Sequence, residues 1–547
     1  MKRFKIVAFL AIALHFVGCD IDRTPYDSLT PEDLSGSEGS LQSVTDGNYA
    51  RLKTMALGWH RVMEFGSDNL SLSGTTTSHL FNLYNYQRLE ANSLTTSFWT
   101  NSYQVIASCN KMIETVEEGK SDQSNQLLGE NYFLRAYLHF TLVNVFSKPY
   151  SHGSAGIGIP IKTNSDPNQI PVRTSIISVY EQVLSDLNKA VSLLNQKKSN
   201  AYASKEVAYA LLSRVYLYMG DNQKCIDNAN LVINSGRYQL LPTQRLASYP
   251  TIRPEDNTET IFAVKFIPNA DLIDAGFSNI GSIYSVIQNV GYGEMYASKP
   301  YIELLRKYPT DERNKFISPV YLNNGVVTGL YADDAFQYKS LKLTKVNVND
   351  YSYLEGSTTR FLEKETGPDG RISYFANLSS GTRKAVTIEP EMANRNGYPK
   401  YYIIKCSNQE NQPQLWSPVV FRLAEMYLNR AEAFAKLGEN EKALADVNLI
   451  RTRAGIPQNG LFSANALPNS RPVLDLVLDE DRLEFAYEGH RKFDVFRNKR
   501  DMDRRYPGTH LAGNTPISII KWSDNNIIEL IPQSQMLIHP GLVQNPL

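Results

Sequence analysis

Residues 421–455 read FRLAEMYLNRAEAFAKLGENEKALADVNLIRTRAG. Leu423, Tyr427, Ala431 and Phe434 recur at helical spacing on one face, and Arg422, Glu425, Asn429, Glu432 and Lys436 occupy the other. Gly438 follows Leu437 at the place where a left-handed residue closes a helix. A second helix starts almost at once, with Ala443, Val447, Ile450 and Ala454 as its inward stripe. Small residues such as Ala431 and Ala443 allow the two helices a close approach.

The same pattern occurs earlier, in YLYMGDNQKCIDNANLVINSG (216–236). Gly220 matches Gly438, Asn222 matches Asn440, Lys224 matches Lys442 and Asn230 matches Asn448. Recurring helical pairs of this kind follow the logic of tetratricopeptide repeats, whose period is about 34 residues. Further helices are expected at 41–57, 98–118, 126–146, 175–195 and 204–219. The 126–146 helix is apolar nearly all round and so belongs at the centre. Helical repeats are therefore expected within 41–240 and 418–500, in a single body over 41–547.

Two regions depart from this regularity. Between 241 and 417, Pro, Gly, Asn and Tyr rise and only short strand-like pieces appear, such as ETIFAVKF and YYIIKC. This reads as a large, irregular, loop-rich insertion, the kind of surface on which binding residues sit. Residues 474–500 read as one last long helix, in which Glu488 can meet Arg491 or Lys492, and Arg491 can meet Asp494. Gly489 within it implies a close neighbour. The charges of this segment read as a structural ion-pair network.

The amino terminus has a different logic. Lys2, Arg3 and Lys5 precede an apolar run from Ile6 to Leu14, and Gly18 stands before Cys19. This is the layout of a signal peptide over 1–18. The run is shorter than the roughly 20 residues that span a bilayer. Phe16-Val17-Gly18-Cys19 resembles the lipobox of bacterial lipoproteins, which would make Cys19 the acylated first residue; Phe16 stands where that motif usually has Leu, and a plain signal peptide is the other reading. Residues 19–40, rich in Asp, Pro, Ser and Gly, read as a tether.

Composition excludes several function classes. The chain carries 56 basic and 56 acidic residues, so nothing favours nucleic acid as a partner. Beyond Cys19 there are three cysteines, too few for a disulfide scaffold, and Cys109, Cys225 and Cys406 read as small buried apolar residues. No zinc-protease, phosphate-loop or nucleophile-elbow motif is present, and the histidines do not stand at metal-ligand spacing. No catalytic residue, cofactor or metal is expected.

FLRAYLHFTLVNVFSKPY (133–150), ADVNLIRTRAGI (445–456), DRLEFAYEGHRKFDVFR (481–497) and IPQSQMLIHPGLVQNP (531–546), with the helix quoted first, resemble the SusD/RagB family of nutrient-binding outer-membrane lipoproteins. Asp481 and Gln535 stand where that family commonly has Glu. The resemblance implies an all-α fold of about four tetratricopeptide-like units with an irregular face, in a lipid-anchored protein exposed at the cell surface and partnered with a SusC-like TonB-dependent barrel. The cargo implied is usually an oligosaccharide and less often a peptide. A helical-repeat scaffold without a nutrient ligand is the alternative class.

A sugar offers a C–H face to aromatic rings and a hydroxyl edge to planar polar groups, so its site should mix the two. Two stretches do so. In 64–93 the candidates are Asp68, Asn69, His79, Tyr84, Tyr86 and Arg88; in 282–301 they are Tyr284, Tyr292 and Tyr296. Trp416, at the start of the helix quoted first, reads as a packing residue there, and Trp59 and Trp99 read equally as packing or as binding residues.

Overall fold

The computed structural model describes residues 38–73, 79–268, 270–271, 279–367, 371–512 and 516–547. The signal peptide, Cys19 and nearly all of the tether lie outside the described residues.

Helices pair along the chain as the periodicity requires. They are α1 (Glu38–Glu64), α2 (Ser93–Thr115), α3 (Asp122–Phe146), α4 (Ile176–Leu193), α5 (Lys205–Met219), α6 (Asn222–Ile233), α7 (Leu423–Lys436) and α8 (Asn440–Arg453). α1 packs on α2, α3 on α4, α5 on α6 and α7 on α8, while α7 also packs on α6, so the two matching pairs stand side by side. Ser121, Ser175 and Ser204 cap their helices by accepting a backbone N–H three residues on. Gly220 and Gly438 are both left-handed, at φ 83° and 79°. α3 is buried on nearly every side and forms the centre of the largest core. Cys109, Cys225 and Cys406 are buried free thiols. Trp59, Trp99 and Trp416 are buried, the last edge-on to His60.

The fold is not all-α. Helix accounts for 45% and strand for 19%, and most of the strand falls in the region expected to be irregular. Strands β1 (Tyr321–Ala332), β2 (Tyr338–Asn347), β3 (Asp350–Glu355), β4 (Thr358–Phe361), β5 (Glu363–Thr366), β6 (Ile372–Asn377) and β7 (Arg383–Met392) form one antiparallel sheet in the order β4-β3-β2-β1-β7-β6-β5. Its two outer strands, β4 and β5, are separated only by Leu362, so the sheet closes on itself as a small barrel. Ser379 N donates to Glu355 Oε1 at 2.9 Å across the closure. Leu341, Leu343, Tyr351, Tyr353, Tyr374, Ala376, Val386 and Ile388 alternate inward and give the barrel its own core.

The barrel is fastened to the helical body at one side. Arg306 pairs with Glu389 of β7, whose carboxylate also accepts the hydroxyls of Tyr321 and Tyr401, each at 3.2 Å. Strand Ile317–Pro319, just before β1, pairs with Tyr401–Ile403.

The single long helix expected at 474–500 is two helices, α9 (Val473–Glu484) and α10 (Arg491–Arg497). Tyr487 and Gly489, at φ 68° and 81°, break the helix between them. A Cβ on Gly489 would lie 3.1 Å from Met63 Cβ, so the close neighbour is real and α1 supplies it. The break also redirects the charges. Glu488 pairs with Arg422 at 2.9 Å and with Lys405 at 2.5 Å, and Arg491 pairs with Asp68, in place of the expected neighbours along the helix. Glu484 accepts from Arg422 and Arg453, each at 2.5 Å, and from Arg313 at 3.1 Å. Burial raises the Glu484 carboxyl, but Arg453, Arg422 and Arg313 outweigh it and hold the group well below the usual carboxylate range. The polar face of α7 is buried in the same way: Glu425 pairs with Arg214 at 2.6 Å and Glu432 with Arg497 at 2.5 Å. The ion-pair network thus locks the C-terminal helices onto the repeats.

Candidate functional site

The two candidate stretches are brought together by backbone pairing. Leu70–Leu72 runs antiparallel to Met295–Ala297, with Ser71 opposite Tyr296, and Ser73 N donates to Glu294 O at 3.0 Å. The loop before Met295 is tightly wound: Tyr292 N and Gly293 N both donate to Ser282 O, at 2.7 and 3.1 Å. Four of its residues, Gln288, Asn289, Gly291 and Gly293, have positive φ. That winding turns the Tyr292 side chain outward, where it is 47% exposed.

A third stretch, NRNGYPKYY (394–402), completes the site. Arg395 pairs with Glu294 at 2.7 Å and donates to Tyr292 O at 3.3 Å. Asn396 Nδ2 donates to Ser73 O at 2.9 Å. Tyr402 lays its ring over Gly293, where a Cβ would come within 2.7 Å of it, and its centroid lies 5.9 Å from that of Tyr296. Four residues back along the same extended segment, Tyr398 meets Tyr338 of β2 edge-on at 6.5 Å. Tyr338, Tyr398 and Tyr402 are each half-buried, and Asn396 is exposed. The result is a ledge of tyrosine rings beside a guanidinium–carboxylate pair and an amide. Apolar faces and planar hydrogen-bonding groups thus stand next to one another.

Most of the sequence-derived candidates sit beneath this ledge rather than on it. Asp68 and Asn69 are buried: Asp68 holds Arg491 and Arg482, and Asn69 Oδ1 accepts from Arg482 at 2.8 Å. Tyr84 is fully buried, bonded to His510 Nδ1 at 2.7 Å with the Arg504 guanidinium over its ring. Tyr86, also buried, donates to Gly66 O at 2.6 Å. Tyr284 is buried, with its hydroxyl 2.9 Å from His60 Nε2. Tyr296 is buried behind Tyr402. Burial pushes the hydroxyls of Tyr84, Tyr86 and Tyr284 above their ordinary range. His79 accepts from Ser93 N at 3.0 Å, capping the start of α2, and Arg88 donates to Pro546 O at 2.8 Å, fixing the C-terminal segment. Tyr292 is the candidate that reaches the ledge. Tyr398, Tyr402, Arg395 and Asn396 are not among the sequence candidates, although the density of Asn, Arg and Tyr in 394–402 marks them; Tyr338, in another stretch, carries no such signal.

Among the described residues no group of His, Cys, Asp and Glu could hold a metal ion, and no helix is long and apolar enough to cross a membrane.

Residues 22–217 match a family model described as starch-binding and associating with the outer membrane, and residues 377–547 match the SusD family model. The chain belongs to the SusD/RagB family. Among SusD-like relatives, protein P2 of Formosa agariphila is 25% identical over 525 residues, covering 91% of each chain. The starch-binding protein SusD of Bacteroides thetaiotaomicron is 25% identical over 401 residues, 70% of this chain and 66% of that one. A solved SusD superfamily protein from B. thetaiotaomicron superposes with TM-score 0.72 at 25% identity, covering 94% of this chain and all of the other. A putative sugar binding protein from Bacteroides vulgatus shares the fold, with TM-score 0.68 at 22% identity over 93% of this chain and 98% of that one. Within the SusD/RagB family, nutrient binding in association with the outer membrane is the common property.

Proposed function

We propose that this protein binds an oligosaccharide on the ledge formed by Tyr292, Tyr398 and Tyr402 and delivers it to a SusC-like TonB-dependent barrel. The observation that carries the reading is the exposed Tyr292 next in the chain to Gly293, over which the Tyr402 ring lies, with the Arg395–Glu294 pair alongside. Sugar C–H faces pack on the rings, and hydroxyls bond the amide of Asn396 and the free lone pairs and N–H groups of the ion pair. The protein does no chemistry on its cargo. It captures ligand, and import belongs to the partner. Cys19 is the proposed acylation site that holds the body at the cell surface; two or more acyl chains give a stable anchor.

Calorimetry against a panel of malto-, cello-, xylo-, manno- and laminari-oligosaccharides tests the reading. One series should bind, and Tyr292→Ala or Tyr402→Ala should weaken it. If no glycan binds while short peptides do, the cargo is peptide. If neither binds but the protein co-purifies with the barrel, the scaffold reading replaces it. Labelled palmitate should enter the protein and be lost in Cys19→Ala.

A further inference from the structure

Of the closed barrel, β1–β5 and nearly all of β6 fall between the two family-matching segments, 22–217 and 377–547, and β7 lies within the second. It has its own core, and several contacts attach it to the body. Arg306, Tyr321 and Tyr401 converge on Glu389, and backbone bonds join Val320 N to Lys400 O at 3.0 Å and Ala393 N to Val320 O at 2.8 Å. Yet the residue that opens β2, Tyr338, reaches across to the binding ledge and meets Tyr398 edge-on, with its side chain half-buried. Edge-to-face contact with one tyrosine leaves ring surface available to a third partner.

We infer that the barrel is a second wall of the glycan site, and that Tyr338 is a specificity residue contacting sugar units beyond those held at Tyr292 and Tyr402. Tyr398 and Tyr402 lie four residues apart on an extended segment, about 13 Å. A ligand spanning from Tyr402 to Tyr338 must therefore be several rings long. A disaccharide seated at Tyr292 and Tyr402 does not reach the barrel, whereas a hexasaccharide does. Chain length is then read at β2, a strand that lies between the two family-matching segments. The inference rests on the glycan-binding reading above.

The test uses the full protein with the dimer and the hexamer of whichever oligosaccharide series binds it. Tyr338→Ala should weaken the hexamer about five- to tenfold and leave the dimer unchanged, and Tyr338→Phe, which keeps the ring, should bind both as the parent does. In the unmodified protein, hexamer but not dimer should slow amide exchange in 333–339. If Tyr402→Ala weakens both ligands while Tyr338→Ala changes neither, or if exchange slows at 290–296 and 398–402 but not at 333–339, the barrel has no part in binding and this inference falls alone. If no glycan binds, the underlying reading falls and takes the inference with it.

Discussion

Arg491 grips Asp68 with both arms: Nε donates to Oδ1 at 2.8 Å and Nη2 to Oδ2 at 3.0 Å. Arg482 adds a third contact, 3.2 Å from Oδ2. The pair ties the segment after α1 to α10, across more than four hundred residues of chain. Burial raises the Asp68 carboxyl, and Arg482 and Arg491 more than reverse this, holding it far below the ordinary carboxylate range. Asp68→Ala would leave two guanidinium groups without their buried anion, and a loss of about 3–5 kcal/mol is expected in urea unfolding. Glycan affinity of the folded fraction should not change. A variant of normal stability that had lost its ligand would instead put Asp68 in the binding site.

Glu64 behaves in the opposite way. It is buried, accepts from Ser67 Oγ at 2.8 Å and from Gly489 N at 2.9 Å, and burial pushes its carboxyl up to about 8 despite these bonds and Lys405. The folded state therefore holds a proton that the unfolded state releases near pH 4.5. The associated stability is complete below that pH and drains away as pH rises towards 8, a change on the order of 5 kcal/mol. Glu64→Gln copies the protonated form, with its amide oxygen towards Gly489 N–H and its nitrogen towards Ser67 Oγ. Melting temperature should fall between pH 5 and pH 8 in the parent and stay flatter in Glu64→Gln. Parallel curves would mean the folded protein carries the charge.

The ledge tyrosines should contribute to binding without contributing much to folding. Tyr292 is 47% exposed, so Tyr292→Ala should lower the melting temperature less than Tyr402→Ala does and cost about 1 kcal/mol of glycan affinity, roughly fivefold in Kd. Tyr402 is half-buried against Tyr296, so Tyr402→Ala should lower both. Calorimetry and thermal unfolding on the same samples separate the two effects.

The helical repeats were legible because each turn carries several apolar residues, and Gly220 and Gly438 mark the ends in matching places. The barrel was not. Its interior takes one modest residue from every second position, as in KSLKLTK (339–345) and DYSYLE (350–355), and polar residues between them dilute the signal. Tyrosine supplies much of that core, and in sequence a tyrosine inside a small barrel reads the same as one on a loop. The binding candidates failed to separate for the same reason. Tyr84 and Tyr292 are alike in composition of neighbourhood, and only the pairing of Leu70–Leu72 with Met295–Ala297 decides which lies beneath and which above. Arg482 and Arg491 were assigned to a structural network from their helix alone, whereas their partner Asp68, distant in sequence, carried no mark of it.

Gly293 offers a way to move the ledge without touching its rings. At φ 53° it sits where side chains are strained, and a Cβ there would lie 2.7 Å from Tyr402 Cε1. Gly293→Ala should therefore cost about 1–2 kcal/mol of stability and displace the Tyr402 ring. Glycan affinity should fall about as far as in Tyr402→Ala. Because both changes act through one ring, the double variant should bind no worse than Tyr402→Ala, and its stability loss should be smaller than the sum, since removing the ring makes room for the Cβ. Additive losses of affinity in the double variant would show that Gly293 acts on the ligand by a route other than Tyr402, and the stacked arrangement at the centre of the ledge would lose its role.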